Sequence, residues 1–296
     1  MPNWNSVLKE IQDNGPLDLI RRKYLKKLYE LTDRNTICYY SGWLQKPGDG
    51  NCSINDNDKN GFMAAVHELD RTKGLDLILH TPGGNLTATE SLVHYLRKMF
   101  DTDIRVIIPQ ISMSAGTMIA CSGKSIVMGK QSNIGPIDPQ FNGIAAYGVI
   151  EEFDKAIEEV KKDPLTIPIW QTVVSKYHPT FIGDCKKAIE LSSEIVSSWL
   201  ETGMFKDEGD SAKEKINGIV DFLNNHEETL THSRHFHVED AINIGLTVEM
   251  LEDSQELQDL VLTVHHAYMH SLGNADIVKI IENHNGKAII QYSRNN

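Results

Sequence analysis

Ile104-Arg-Val-Ile-Ile-Pro109, followed by Ile111-Ser-Met-Ser-Ala-Gly-Thr-Met-Ile-Ala120, is the stretch that decides the fold. Its first half is an apolar, β-branched run of strand length. Its second half is small and then apolar, which reads as a turn opening a helix over 114–121. A serine at such a strand-to-helix turn presents its hydroxyl at the mouth of a sheet. It also meets the unpaired N–H groups of the helix N-terminus, which favour a developing negative charge. Ser114 is therefore the candidate nucleophile, with Ser112 a rival earlier in the turn. The competing reading is a serine that merely caps the helix.

The same unit occurs one step upstream. A strand over 75–80 runs into His80-Thr-Pro-Gly-Gly84 and then a helix over 87–100. Glycines there let the backbone approach a ligand and aim its N–H groups at it. Thr87-Ala-Thr-Glu90 reads as a capping box. A further strand, Ser125-Ile-Val-Met128, precedes the loop Ser132-Asn-Ile-Gly-Pro-Ile-Asp-Pro-Gln140. Strands alternating with helices imply a mostly parallel sheet with right-handed crossovers, an α/β class. Both βα loops then meet at one sheet edge, where nucleophile and oxyanion donors belong together.

Around this core the chain reads as three parts. Residues 1–34 form a helical extension, 35–251 the catalytic domain with a helical insert at about 149–225, and 252–296 a C-terminal helix and short strand. Thr36-Ile-Cys-Tyr-Tyr40 is a strand, and a helix is expected over Asn60–Arg71. Helices are expected at Val149–Lys162, Ile169–Tyr177, Thr180–Phe205, Ser211–Asn225, Val238–Leu246 and Gln255–Leu272. Lys287–Gln291 closes as a strand after the Asn283-His-Asn-Gly286 turn.

With 296 residues the chain can bury a large core. Its net charge of −12 argues against nucleic-acid binding, which needs a surplus of Lys and Arg. Cys38, Cys52, Cys121 and Cys185 form no CxxC pair, so reduced thiols in a cytoplasm are expected. No signal peptide or bilayer-spanning run is read, and no cofactor. The basic helix around Arg21–Lys27 is read as docked on the core or a partner, with peripheral membrane contact the lesser reading. The Asp/Asn/Gly-rich stretch Lys46–Asp58 resembles a calcium loop only in composition.

A serine hydroxyl needs a base. His80 lies just before the Gly-Gly loop but ends a buried strand, and His94 sits on the outer course of a helix. His226, His232, His235 and His237 cluster far downstream and read as surface or satisfied histidines. His265, His266 and His270 share a helix, where the His266/His270 spacing suits a metal but no third ligand is in view. A buried lysine is the alternative, since desolvation strips its proton. Lys124, Lys130 and Lys155 are within reach by sequence.

His80-Thr-Pro-Gly-Gly84, Met113-Ser-Ala-Gly-Thr-Met118, Met128-Gly-Lys-Gln-Ser132 and Gly135-Pro-Ile-Asp-Pro-Gln140 resemble the SDH (serine dehydrogenase proteinase) family. That family is a prokaryotic branch of the Clp-fold serine peptidases, similar to signal peptide peptidase A. Arg21-Arg-Lys-Tyr-Leu25, Tyr39-Tyr-Ser-Gly-Trp43 and Ala241–Leu251 fit it too, so the resemblance covers nearly the whole chain. It implies a Clp/crotonase-like ββα spiral core with a helical periphery and assembly into rings or stacked dimers. It also implies Ser114 as nucleophile, with N–H groups of Gly83 and Ala115 as the oxyanion hole. Clp-type relatives place a histidine base in the loop where this chain has Ile137. Membrane-associated relatives use a lysine at the start of the next helix, and Lys155 stands at that distance. Asp138 either orients a partner or caps the turn.

The reading is an ATP-independent serine endopeptidase acting on peptides or proteins through a Ser114–Lys155 dyad, a homo-oligomer binding no metal. Two other readings stand beside it. One is a crotonase-like acyl-CoA hydratase or isomerase, for which Glu90 is the nearby carboxylate. The other is a non-catalytic scaffold.

Overall fold

The protein, described here as a computed structural model over residues 4–14, 17–141, 143–224 and 232–293, is built on one seven-stranded sheet. Helices α1 (Trp4–Asn14) and α2 (Leu17–Thr32) lead into β1 (Asn35–Ser41) and α3 (Asp58–Val66). Next come β2 (Leu75–His80), α4 (Leu86–Phe100), β3 (Ile104–Ile108), β4 (Ile111–Ser112), α5 (Ala115–Cys121) and β5 (Ser125–Met128). Short strands β6 (Asn133–Ile134), β7 (Gln140–Phe141) and β8 (Ile144–Ala145) precede a helical stretch. Its helices are α6 (Ala146–Lys162), α7 (Ile167–Val174), α8 (Phe181–Thr202) and α9 (Lys213–Asn224). The described chain closes with α10 (Val238–Asn243), β9 (Val248–Met250), α11 (Gln255–Asn274), β10 (Ile277–Asn283) and β11 (Ala288–Tyr292).

The strand order is β11-β10-β1-β2-β3-β5-β9. β1, β2, β3, β5 and β9 run parallel, while β10 pairs antiparallel with β1 and with β11. The expected α/β class with a mostly parallel sheet is therefore present. Alternation along the strands sorts the core into two layers. Ile37, Leu77, Leu79, Val106, Ile108, Ile126 and Met128 pack toward α3, α4, α5, α8 and α9. Cys38, Tyr40, Ile78, Ile107 and Val127 pack on the other face against α2 and α11.

Several expectations shift. β10 was not anticipated, because Lys279 and Glu282 interrupt its apolar pattern; both are fully buried and paired, which only tertiary context supplies. The cap of α4 is Asn85, whose side chain accepts from Ala88 N at 2.9 Å, so Thr87 and Glu90 lie inside the helix. Basic α2 is docked on the core: buried Arg21 donates to Glu282, Ser271 and Asp18. All four cysteines are free and buried. No helix among the described residues is long and apolar enough to cross a membrane.

Candidate active site

Parallel strands place their following loops at one edge, and the loops after β2 and β3 meet there. Thr81 bridges to Ser112: Met113 N donates to Thr81 O at 3.0 Å, and Thr81 N to Ile111 O at 3.4 Å. Ser114 follows with φ 53° and ψ −119°, a left-handed conformation that a non-glycine residue holds only under constraint. Its hydroxyl makes no capping bond to α5. The helix-cap reading is thereby set aside, and the side chain is turned toward a cleft instead. The tight turn also demands Gly116, where a Cβ would lie 2.3 Å from Ser112 Oγ.

Gly83, with φ +93°, lies directly against this turn. A Cβ there would sit 2.7 Å from Met113 O, 2.8 Å from Ser114 Cβ and 2.9 Å from Ala115 N. Both the dihedral and the close approach require glycine. Ala115 is the first residue of α5, so its N–H has no intrahelical partner. Gly83 N–H donates to Thr81 Oγ1 at 3.1 Å. The two expected oxyanion donors thus stand beside Ser114, one of them engaged by a neutral hydroxyl.

Ser114, Gly83 and Ala115 line a cleft of about 480 Å³ shared with Met118, Ile137 and Asp138, and with His232. Its other lining residues include Ser53, Leu86, Phe141, Ala188 and Ser192, with no lysine or arginine among the described residues. Asp138 is 1% exposed, and its Oδ1 lies 2.6 Å from His232 Nδ1. His232 has a side chain 20% exposed. The second Asp138 oxygen is buried and has no hydrogen-bond partner among the described residues. The loop carrying Asp138 is fixed by Gly135 N donating to Thr117 Oγ1 at 3.0 Å and Ile137 N donating to Leu223 O at 2.9 Å. A serine, a histidine and a carboxylate bound to that histidine therefore face one cleft, the set that nucleophilic acyl transfer uses.

The model of the ClpP-like SDH-type serine proteinases matches residues 51–285. The chain belongs to that family. An uncharacterized protein of Methanocaldococcus jannaschii, MJ0137, is 30% identical over 193 residues, 65% of this chain and 59% of its own. A second from the same organism, MJ1495, is 32% identical over 110 residues, 37% of each chain. The chain thus spans about three-fifths and about two-fifths of these relatives' lengths. Among solved structures, a variant of the 1510-N membrane-bound stomatin-specific protease shares 17% identity. That match covers 69% of this chain and 78% of that one, with a TM-score of 0.41.

The lysine expected from sequence as the base does not line the cleft. Lys155, on α6, has a side chain 67% exposed, lies 3.9 Å from Glu159 and is not among the cleft residues. Seventeen residues of amphipathic helix put its buried face elsewhere, on Val149 and Ala156, and turn Lys155 to solvent. Lys130 is exposed, with its N–H on Glu252; Lys124 pairs with Asp103. His80 is fully buried on the opposite face of the sheet, among Trp43, Tyr40 and His265. Glu90 lines a separate hollow with His94 and Arg97. His266 and His270 pack on Trp4, and no cluster of three metal-ligating side chains occurs among the described residues. His235 and His237 are exposed, and His226 lies outside the described residues. In the calcium-like loop, Asp58 is paired with the Lys279 ammonium.

His232 is the residue that sequence reasoning missed. It sat in a group of four histidines with nothing to distinguish them. The only available signal was Asp138, a carboxylate in the serine-side loop with an unassigned role. Ile137, a buried lining residue of the cleft, occupies the loop position expected for a base, and the histidine on the cleft wall comes from a segment distant in sequence.

Proposed function

We propose that this chain is a serine peptidase using Ser114, His232 and Asp138, rather than a Ser–Lys dyad. The observation that carries the reading is the 2.6 Å contact between His232 Nδ1 and Asp138 Oδ1 on the wall of the Ser114 cleft. With Nδ1 held by the carboxylate, Nε2 is the basic nitrogen. Ser114 Oγ attacks the scissile carbonyl while His232 Nε2 takes its proton. The C=O pair moves onto oxygen, and the Ala115 and Gly83 N–H groups bind that oxyanion. A charged acceptor forms a stronger bond than a neutral hydroxyl, so Gly83 N–H exchanges Thr81 Oγ1 for it. The C–N bond then breaks as His232 protonates the leaving amine. Water repeats the sequence on the acyl-enzyme and frees Ser114.

The cleft supplies apolar walls from Leu86, Met118, Ile137, Phe141 and Ala188, and among the described residues no lysine or arginine lines it. Uncharged side chains flanking the cleaved bond fit that lining. No nucleotide enters this mechanism, so hydrolysis of short peptides is expected to run at the same rate with and without ATP. Self-association in the manner of Clp-fold proteases is part of the reading, checked by light scattering of the full chain. Neither alternative gains an observation: Glu90 lines a different hollow from the Ser114 cleft, and the histidine whose apparent absence favoured a scaffold is supplied in this reading by His232.

A fluorophosphonate probe tests the proposal. It is expected to label the wild type but neither Ser114→Ala nor His232→Ala at a comparable rate. Equal labelling of Ser114→Ala would sink the nucleophile assignment. Full activity in His232→Ala with loss in Lys155→Ala would restore the dyad.

A further inference from the structure

We propose that the buried Lys279–Asp58 pair is a positioning device for the oxyanion hole, acting through the backbone of residues 53–55 on the Gly83–Gly84 loop. The inference rests on the serine-peptidase reading and identifies what holds its donors in place. Lys279, on β10, and Asp58, at the start of α3, have side chains 0% and 1% exposed. Lys279 Nζ lies 2.8 and 3.0 Å from the two Asp58 oxygens and donates to Ser53 O at 2.9 Å. Asp58 Oδ2 accepts from Asn55 N at 3.0 Å and from Tyr39 OH at 2.9 Å. The cation therefore grips the chain just before Ile54 and the anion grips it just after. Asn55 adds a side-chain bond to Ser53 O at 3.0 Å.

Ile54 is the segment that touches the glycine loop. Its N–H donates to Gly83 O at 2.8 Å, and its carbonyl accepts from Asn85 N at 2.9 Å, forming a parallel bridge to Gly84. Pinning Gly83 O and Asn85 N fixes the two peptide planes that flank Gly84, immediately after the Gly83 donor, and Ser53 itself lines the cleft. An apolar pair of equal volume would fill the same space and avoid the desolvation of two charges. It would not bond a carbonyl and an amide on either side of Ile54. The polar pair thus has a geometric task, and the task lies at the oxyanion donors.

The test is the full-length paired variant Lys279→Met with Asp58→Asn, which removes both charges and leaves neither unpaired. Its kcat and its fluorophosphonate labelling rate are expected to fall roughly tenfold to a hundredfold, the scale of a displaced oxyanion donor. KM is expected to stay within about twofold. A second buried pair supplies the comparison: Arg21→Met with Glu282→Gln, on the opposite face of the sheet, should lower Tm similarly and leave kcat unchanged. A folded Lys279→Met/Asp58→Asn enzyme with kcat within about twofold of wild type overturns the proposal, as does an equal kcat loss in the comparison pair. If the paired variant does not fold, Asp58→Asn alone keeps the shape and an acceptor for Asn55. It is expected to lose about threefold or more in kcat, and an unchanged kcat overturns the proposal. A wild-type chain that takes no probe and cleaves no peptide overturns the peptidase reading as well, so the two failures are told apart.

Discussion

Replacing Asp138 by Asn removes one charge and little volume, and it tests the role of His232 more sharply than deleting the histidine. The carboxylate is buried and lies 2.6 Å from Nδ1, oxygen to nitrogen. When His232 takes the Ser114 proton it becomes an imidazolium, its charge centre about 4 Å from that of Asp138. At the effective dielectric of a protein site this attraction is worth about 4 kcal/mol. Losing it corresponds to about a thousandfold in kcat. An Asn amide can also turn its NH₂ toward Nδ1 and stabilise the wrong tautomer, which extends the expected loss toward about ten-thousandfold. The fold should tolerate the change, since the second carboxylate oxygen has no hydrogen-bond partner among the described residues. Tm is expected within a few degrees of wild type. The assay is steady-state cleavage of an uncharged fluorogenic peptide, with active sites counted by fluorophosphonate titration. An Asp138→Asn enzyme retaining kcat within about tenfold of wild type would refute the charge argument.

The remaining predictions concern the rest of the machinery and the scaffold. Gly83→Ala must place a Cβ within 3 Å of three atoms at φ +93°; activity should fall at least about a hundredfold, read as the probe-labelling rate. Lys155→Ala should leave kcat/KM unchanged, because its exposed ammonium lies 3.9 Å from Glu159 and outside the cleft. Burial pulls the His265 imidazole down to about 3, so folding keeps it neutral while the unfolded chain binds a proton below about 6.5. Its contribution is complete above that value and is lost as pH falls toward 3. Between pH 7 and 4 urea unfolding should therefore show a loss of about 3 kcal/mol that His265→Gln removes. Arg21→Met should cost about 3 kcal/mol by leaving Glu282 partly uncompensated, with kcat unaffected.

How far the sequence carries depends on how local the determining interactions are. The βα units around Gly83 and Ser114 were legible because strand, small-residue turn and helix follow one another within a few residues. The same locality gave the pairing of the two loops, since parallel strands force them to one edge. The cap of α4 was misplaced because Asn85 and Thr87 offer similar local chemistry, and only the side-chain bond from Asn85 to Ala88 N decides between them. β10 was illegible for a stronger reason. Lys279 and Glu282 read as solvent-facing until Asp58 and Arg21, far apart in the chain, arrive to pair with them.

The base follows the same logic. Spacing singled out Lys155, because relatives that use lysine place it on the next helix, but spacing along a helix does not say which way a side chain points. The apolar residues of α6 answer that: Val149 and Ala156 are buried, and Lys155 is left outside. Asp138 carried the usable clue. A carboxylate that is buried in a serine-side loop needs a donor, and among the described residues its hydrogen-bond partner is the distant His232. His232, 94 residues further along the chain, closes that gap on the cleft wall, and Ile134 pairs with Phe236. The helical insert is thus more than a periphery. Leu223 of α9 accepts from Ile137 N, so changes in α9 that shift Leu223 are expected to reach Asp138, the proposed partner of His232.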